Sequence, residues 1–333
     1  MGAGDGVLST RLTREWGLRH PLVLAPMAGV SGGRLAGAVS AAGGLGLIGA
    51  GESATIGWLD RAAADAAAAE GVWGFGCVAW VLRRRPELLR HMLALRPPVV
   101  ALSFGDITPW ARQVIDAGVR LAVQVRTRAE AATALAAGAD ALVAQGSEAG
   151  GHTGFIGTLT ILQVVLDVVG DKQVPVLAAG GIATGAAVAG TLVMGAAGAW
   201  IGSALSAAQE ADGSRARKER LLGAAETDTV QTRVFDIALG AGYPVQTPGR
   251  ALRNRFTDQW HGKEADLAAR QTAENERLRQ ARAADDFDVY HVYAGQAIGL
   301  VRVVEPAGAI IDRLAAEAVG AIRRSGTLLR PGS

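Results

Sequence analysis

Through the first 208 residues, short apolar runs alternate with Ala-rich segments of helical period. The runs cover residues 21–25, 45–49, 73–79, 99–104, 121–125, 141–144, 174–178 and 199–201. They are apolar throughout rather than at every second position, the pattern of parallel strands covered on both faces. Helices are predicted between them over 34–42, 56–70, 86–95, 109–117, 128–137, 159–169 and 186–194. Eight strand-then-helix units point to an α/β chain closed as a (β/α)8 TIM barrel. A doubly wound open sheet is the rival arrangement.

The pattern changes after Ala208. Residues 215–223 and 263–283 read as charged helical segments, with a loop-rich stretch over 227–260 between them. An amphipathic helix follows over 307–323. The expected division is a barrel over 1–211, a small helical lid domain over 212–299, and a closing helix of the barrel within 300–333.

Composition narrows the class. Half of the 333 residues are hydrophobic, enough for a large core. The formal net charge is only +2. The basic runs, Arg83-Arg84-Arg85 and residues 215–220, read as solvated helix faces rather than nucleic-acid sites. The lone cysteine, Cys77, leaves no disulfide framework and no multi-Cys zinc site. No signal-peptide pattern precedes the first strand, and glycines break the most apolar stretch, 186–201. A cytoplasmic protein is expected, with no membrane and no nucleic acid among its partners.

In such a barrel the chemistry lies just beyond the strand ends. Ala25-Pro26-Met27-Ala28-Gly29 is a tight turn able to lie against a flat ring, or merely a strand terminator. Gln124 is a polar amide in an apolar run, placed to bond a ligand or a neighbouring strand. Beyond the sixth strand, Gln145-Gly146-Ser147-Glu148-Ala149-Gly150-Gly151-His152-Thr153-Gly154 sets one histidine among four glycines. His152 is the only one of five histidines placed just past a core strand. An imidazole there suits proton transfer near neutrality. Gly180-Gly181 after the seventh strand and Gly202-Ser203 after the eighth form a phosphate signal, strengthened by a following helix N-terminus. No P-loop, dinucleotide fingerprint, nucleophile elbow or zinc helix is present. Glu148 and His152 lack a third ligand, so no metal is expected.

The string from Gln145 to Gly154 resembles the signature around the catalytic histidine of nitronate monooxygenases, formerly 2-nitropropane dioxygenases. Ala179-Gly180-Gly181-Ile182 is similar to that family's FMN-phosphate loop. Ala25-Pro26-Met27, Ser103-Phe104-Gly105-Asp106, Gln124-Val125, Arg233-Val234-Phe235-Asp236 and residues 249–254 are similar to family segments as well. The resemblance spans residues 18–265. Where relatives often carry Gly-Thr-Arg-Phe, this chain has Gly202-Ser203-Ala204-Leu205.

The resemblance implies an FMN-dependent enzyme that oxidises alkyl nitronates, or nitroalkanes, with O2 to carbonyl compounds and nitrite. It places Gly180, Gly181, Gly202 and Ser203 at the FMN phosphate. Ala25, Met27, Gln124 and Gly151 would border the flavin, with His152 as the catalytic group. The partners implied are a small nitronate and O2, and a homodimer is an allowed assembly. Two other readings stay open at this point. One is an NAD(P)H-dependent FMN reductase of a quinone or enoyl thioester; the other is a flavin-free isomerase or lyase acting on a phosphorylated metabolite.

Overall fold

The computed structural model describes residues 7–328. Its strands are β1 (Leu22–Leu24), β2 (Leu45–Ala50), β3 (Val72–Val78), β4 (Val99–Ser103), β5 (Arg120–Val125), β6 (Ala141–Gln145), β7 (Gly151–His152), β8 (Val176–Ala179), β9 (Gly198–Ile201), β10 (Thr229–Thr232) and β11 (Gly249–Leu252). Eight of them close a parallel barrel in the order β1-β2-β3-β4-β5-β6-β8-β9. Closure is made by β1 on β9, with Leu22, Val23 and Leu24 opposite Ala199, Trp200 and Ile201. The open-sheet alternative is thereby excluded.

Burial on both faces follows from the side-chain alternation of a strand. Val23, Leu45, Leu47, Val99, Ala141, Val143, Leu177 and Trp200 share one apolar cluster that fills the barrel. Their neighbours Leu22, Leu24, Ile48, Val100, Leu142 and Ile201 join the cluster under the outer helices. Beta-branched and leucyl side chains at successive positions therefore serve two cores at once.

Several elements depart from expectation. A helix at Arg11–Trp16, started by the Thr10/Thr13 capping box, puts Leu12 and Trp16 into the interior cluster. Its six residues are too few for a periodicity to stand out. A second short helix, Ala79–Arg84, precedes Pro86–Ala94. In the Arg83-Arg84-Arg85 run, Arg84 pairs with Glu52 at 3.1 Å, and Arg85 donates to the carbonyls of Glu52 and Ala54. That run is thus a tie to the loop after β2, not a plain solvated face.

The stretch 227–260 is not loop-rich. It holds β10, the helix Val234–Leu239, β11 and the helix Arg255–Trp260. β10, β11 and β7 form a separate antiparallel sheet. Residues 263–283 fold as two helices, Glu264–Ala269 and Gln271–Ala283, separated at Arg270. Val234, Phe235, Phe256, Trp260, Leu267 and Leu278 give this region its own apolar cluster. The helix Ala307–Ser325 packs on Gly185–Val193 and Gly33–Ala41, the last and first helices of the ring. Residues 1–6 and 329–333, the outermost parts of the expected barrel and closing segments, lie outside the described residues. Among those described, no helix is long and apolar enough to cross a membrane.

Candidate active site

A cavity of 580 Å³ opens at the C-terminal ends of the barrel strands, where ligands collect in this fold. Ala25, Met27, Gln124, Gly151, His152, Gly180, Gly181, Gly202 and Ser203 all line it. The turn after β1 crosses directly over β2 and β3. It can do so because a Cβ on Gly49 would meet the Met27 backbone at 2.5 Å, and one on Gly76 would meet Pro26 at 2.2 Å. Ser31 Oγ accepts from the Met27 amide at 2.7 Å and fixes the turn. Gln124 stands half-buried on β5. Cys77 also lines the cavity, and burial pushes its thiol up to about 12, so it stays protonated.

His152 is held from four directions. Its backbone belongs to β7, paired with Gly249 of β11. Gln145 Nε2 donates to its carbonyl at 3.0 Å. Its ring lies flat against Tyr243, with centroids 3.3 Å apart, while Phe104 meets it edge-on. Its Nε2 is 2.7 Å from Asp236 Oδ1, and both side chains are buried. A carboxylate only accepts, so Nε2 carries a proton, and in the neutral ring the lone pair is then on Nδ1. Nδ1 has no hydrogen-bond partner among the described residues.

The glycine loops line the same cavity. Gly180 and Gly181 adopt φ of +108° and +71°, conformations that side chains rarely take. Ser203 Oγ accepts from the Gly295 amide at 2.8 Å and retains its own proton for a ligand. Glu148 lies beside Gly181, but its carboxylate accepts from the amide and hydroxyl of Thr158. At the start of the helix Gly185–Val193, the Gly185 N–H donates to Glu317 and Thr184 caps Ala187, so these two amides of its first turn are already engaged. The run 215–220 is corrected: Arg217 lines the cavity instead of facing solvent.

Asp236, Tyr243, His291 and Tyr293 were not picked out as site residues. Asp236 had a signal, an acid inside the apolar run Val234–Leu239. The others lie among aromatic residues that sequence alone does not direct anywhere. Burial raises the Tyr243 and Tyr293 phenols, with Asp236 adding to the effect, so both keep their protons. Burial and then the nearby His152 bring His291 down to about 3, so it is neutral. Buried atoms without a partner cluster on this cavity: Gln145 Oε1, Asp236 Oδ2 and His291 Nδ1. No group of three His, Cys, Asp or Glu among the described residues could hold a metal ion.

The profile of the nitronate monooxygenase family matches residues 9–74 and 81–317. A Staphylococcus aureus (strain MSSA476) protein named "Probable nitronate monooxygenase" is 28% identical, over 91% of this chain and 96% of its own. FabK from Thermotoga maritima superimposes with a TM-score of 0.85 at 28% identity, covering 97% of this chain and 100% of that one. Nitroalkane oxidase from Streptomyces ansochromogenes gives a TM-score of 0.77 at 30% identity, covering 96% and 100%.

Proposed function

This chain belongs to the nitronate monooxygenase family, and from that premise we propose that it uses FMN and O2 to oxidise alkyl nitronates to carbonyl compounds and nitrite. The observation that carries the reading is the His152–Asp236 pair, buried at 2.7 Å on a cavity also lined by the glycine backbone of Gly180, Gly181 and Gly202. Two nitronates and one O2 balance as two carbonyls and two nitrites.

The residues present fit the cofactor. A flat ring system needs a wall of small side chains and backbone, and Ala25, Pro26, Met27 and Gly76 supply one. Gln124 would bond its polar edge, and the unsatisfied Oε1 of Gln145 would accept from a donor there. A phosphate needs donors without a carboxylate in the way. Gly180, Gly181, Gly202 and the Ser203 hydroxyl would hold it, with Glu148 already committed to Thr158. Bound there, FMN would supply the one-electron chemistry by which a nitronate is oxidised and O2 combines with it.

The protein's own work is positional and protonic. Asp236 holds His152 through Nε2, which leaves Nδ1 as the ring nitrogen available to a substrate. For a neutral nitroalkane, Nδ1 takes the α-proton, and the imidazolium so formed is stabilised by the carboxylate behind it. For a nitronate the proton is already gone, and a ring carrying a proton on Nδ1 as well would donate it to the anionic oxygens instead. Phe104, Tyr243 and Tyr293 pack around the His152 ring and limit its own contact with water. Residues 212–299 act as the lid, since Asp236, Tyr243 and Tyr293 all come from it.

Anaerobic mixing of the FMN-loaded protein with a nitronate and, separately, with NADH or NADPH tests this. Loss of the oxidised-flavin absorbance with the nitronate, and slow or no change with nicotinamides, is expected. Rapid bleaching by a nicotinamide alone would turn the assignment to a reductase. A protein that takes up no flavin would remove the cofactor.

A further inference from the structure

Arg217 stands on the helix Arg215–Leu222, in a run whose composition suggests a solvated face. Arg215 behaves that way and pairs with Glu219 at the surface. Arg217 turns inward. It lines the cavity, and its Nη1 donates to the Ser206 carbonyl at 3.0 Å. Ser206 ends the single helical turn that Ser203 begins, and its hydroxyl donates to the Ser203 carbonyl at 2.9 Å. The short helix Gln296–Leu300 packs on both this turn and the Arg215–Leu222 helix. Arg217 therefore belongs to the corner where the Gly295 amide meets Ser203 Oγ.

No carboxylate pairs with Arg217 among the described residues. Burial brings its guanidinium down to about 10, which leaves it charged at any working pH. The acids nearby are engaged elsewhere: Asp212 with Arg34, Glu210 with the Ala307 amide, and Glu148 with Thr158. A mostly buried cation with one carbonyl partner is costly unless an anion joins it. The anion that this cavity is built for, on the reading above, is a phosphate monoester.

Resting on that FMN assignment, we propose that Arg217 is the cation that holds the cofactor phosphate, completing a site that Gly180, Gly181, Gly202 and Ser203 build from backbone and one hydroxyl. It is thus the residue that sets preference for a phosphorylated flavin over an unphosphorylated one. The glycine amides confer geometry; the guanidinium supplies charge in a place that water reaches poorly.

The test is titration of flavin-stripped protein with FMN and with riboflavin, followed by flavin fluorescence, for wild type, Arg217→Met and Arg217→Gln. Wild type should prefer FMN. Both variants should lose roughly 10–100-fold in FMN affinity, the worth of a charge-assisted phosphate contact, and change little toward riboflavin. Equal losses for both flavins, no loss at all, or full FMN affinity in the Gln variant would overturn the role. If neither variant folds by circular dichroism, the guanidinium is structural and the proposal also falls. Failure of the FMN reading itself looks different: wild type then binds neither flavin.

Discussion

On the barrel side, the cavity wall is mostly backbone and small side chains: Ala25, Gly76, Gly180, Gly181 and Gly202. On the side built by residues 236–293 it is an acid and a set of rings, Asp236, Tyr243, Tyr290, His291 and Tyr293. His152 belongs in sequence to the first wall but is held by the second, through β11, Asp236 and Tyr243. On the proposed reading the division separates two tasks. Backbone amides in fixed turns would bind a cofactor without titrating, while packed side chains would orient the one group that moves a proton. Damage to the barrel wall should therefore remove the cofactor, and damage to the other wall should leave the cofactor bound to a poorly oriented base.

The largest effect is expected at Gly181. Its φ of +71° disfavours any side chain, and Gly181→Asp adds a carboxylate beside Glu148 where the phosphate would bind. FMN affinity should fall roughly 100-fold or more, read by flavin fluorescence after gel filtration. A folded variant with unchanged affinity would move the phosphate to another part of the cavity.

His152→Asn tests the other wall's client. If Nδ1 takes the α-proton, kcat/KM for a neutral nitroalkane should drop roughly 10²–10⁴-fold, much less for the corresponding nitronate, with FMN content unchanged. Equal activity of variant and wild type on both substrates would leave the histidine only a structural part.

Asp236→Asn should produce a weaker copy of the same pattern, roughly 10–100-fold on the nitroalkane, because the amide keeps the size and loses the charge behind the imidazole. Its signature is selectivity: a uniform loss on both substrates, or loss of FMN, would show that Asp236 supports the fold rather than the base.

How legible the two walls were in sequence follows from how each is built. The barrel strands announce themselves because each is apolar on both faces, and their observed ends lie within two residues of the expected ones. The loops of the first wall were legible as positions because their glycines follow strand ends directly. The second wall was not. β7 and β10 hold two and four residues, too short for periodicity, and they become strands only by pairing with β11. Asp236 lies 84 residues from His152, and no local pattern records that contact. Arg217 was misread because its helix carries charges on every side, so nothing marks the one that turns inward.

The smallest effect belongs to His291, which the second wall keeps neutral. Burial, followed by the field of His152, lowers its proton affinity to about 3 from an ordinary 6.5. Between those values an unfolded chain binds a proton that the folded one refuses, so stability is fully present above about 6.5 and falls as pH drops toward 3. The ring is partly open to the cavity, where water screens it. The contribution lost between pH 7 and 4 is therefore on the order of 2 kcal/mol rather than the full linkage value. His291→Asn removes the titration while keeping a polar side chain. Lost contacts with Phe235 and Tyr293 lower its stability by an offset that is the same at every pH. The readout is the slope: denaturant midpoints measured from pH 7 to 4 should fall less steeply in the variant. Parallel slopes would mean that His291 takes up its proton without cost in the folded state, and that this wall is wetter than its unpartnered Nδ1 implies.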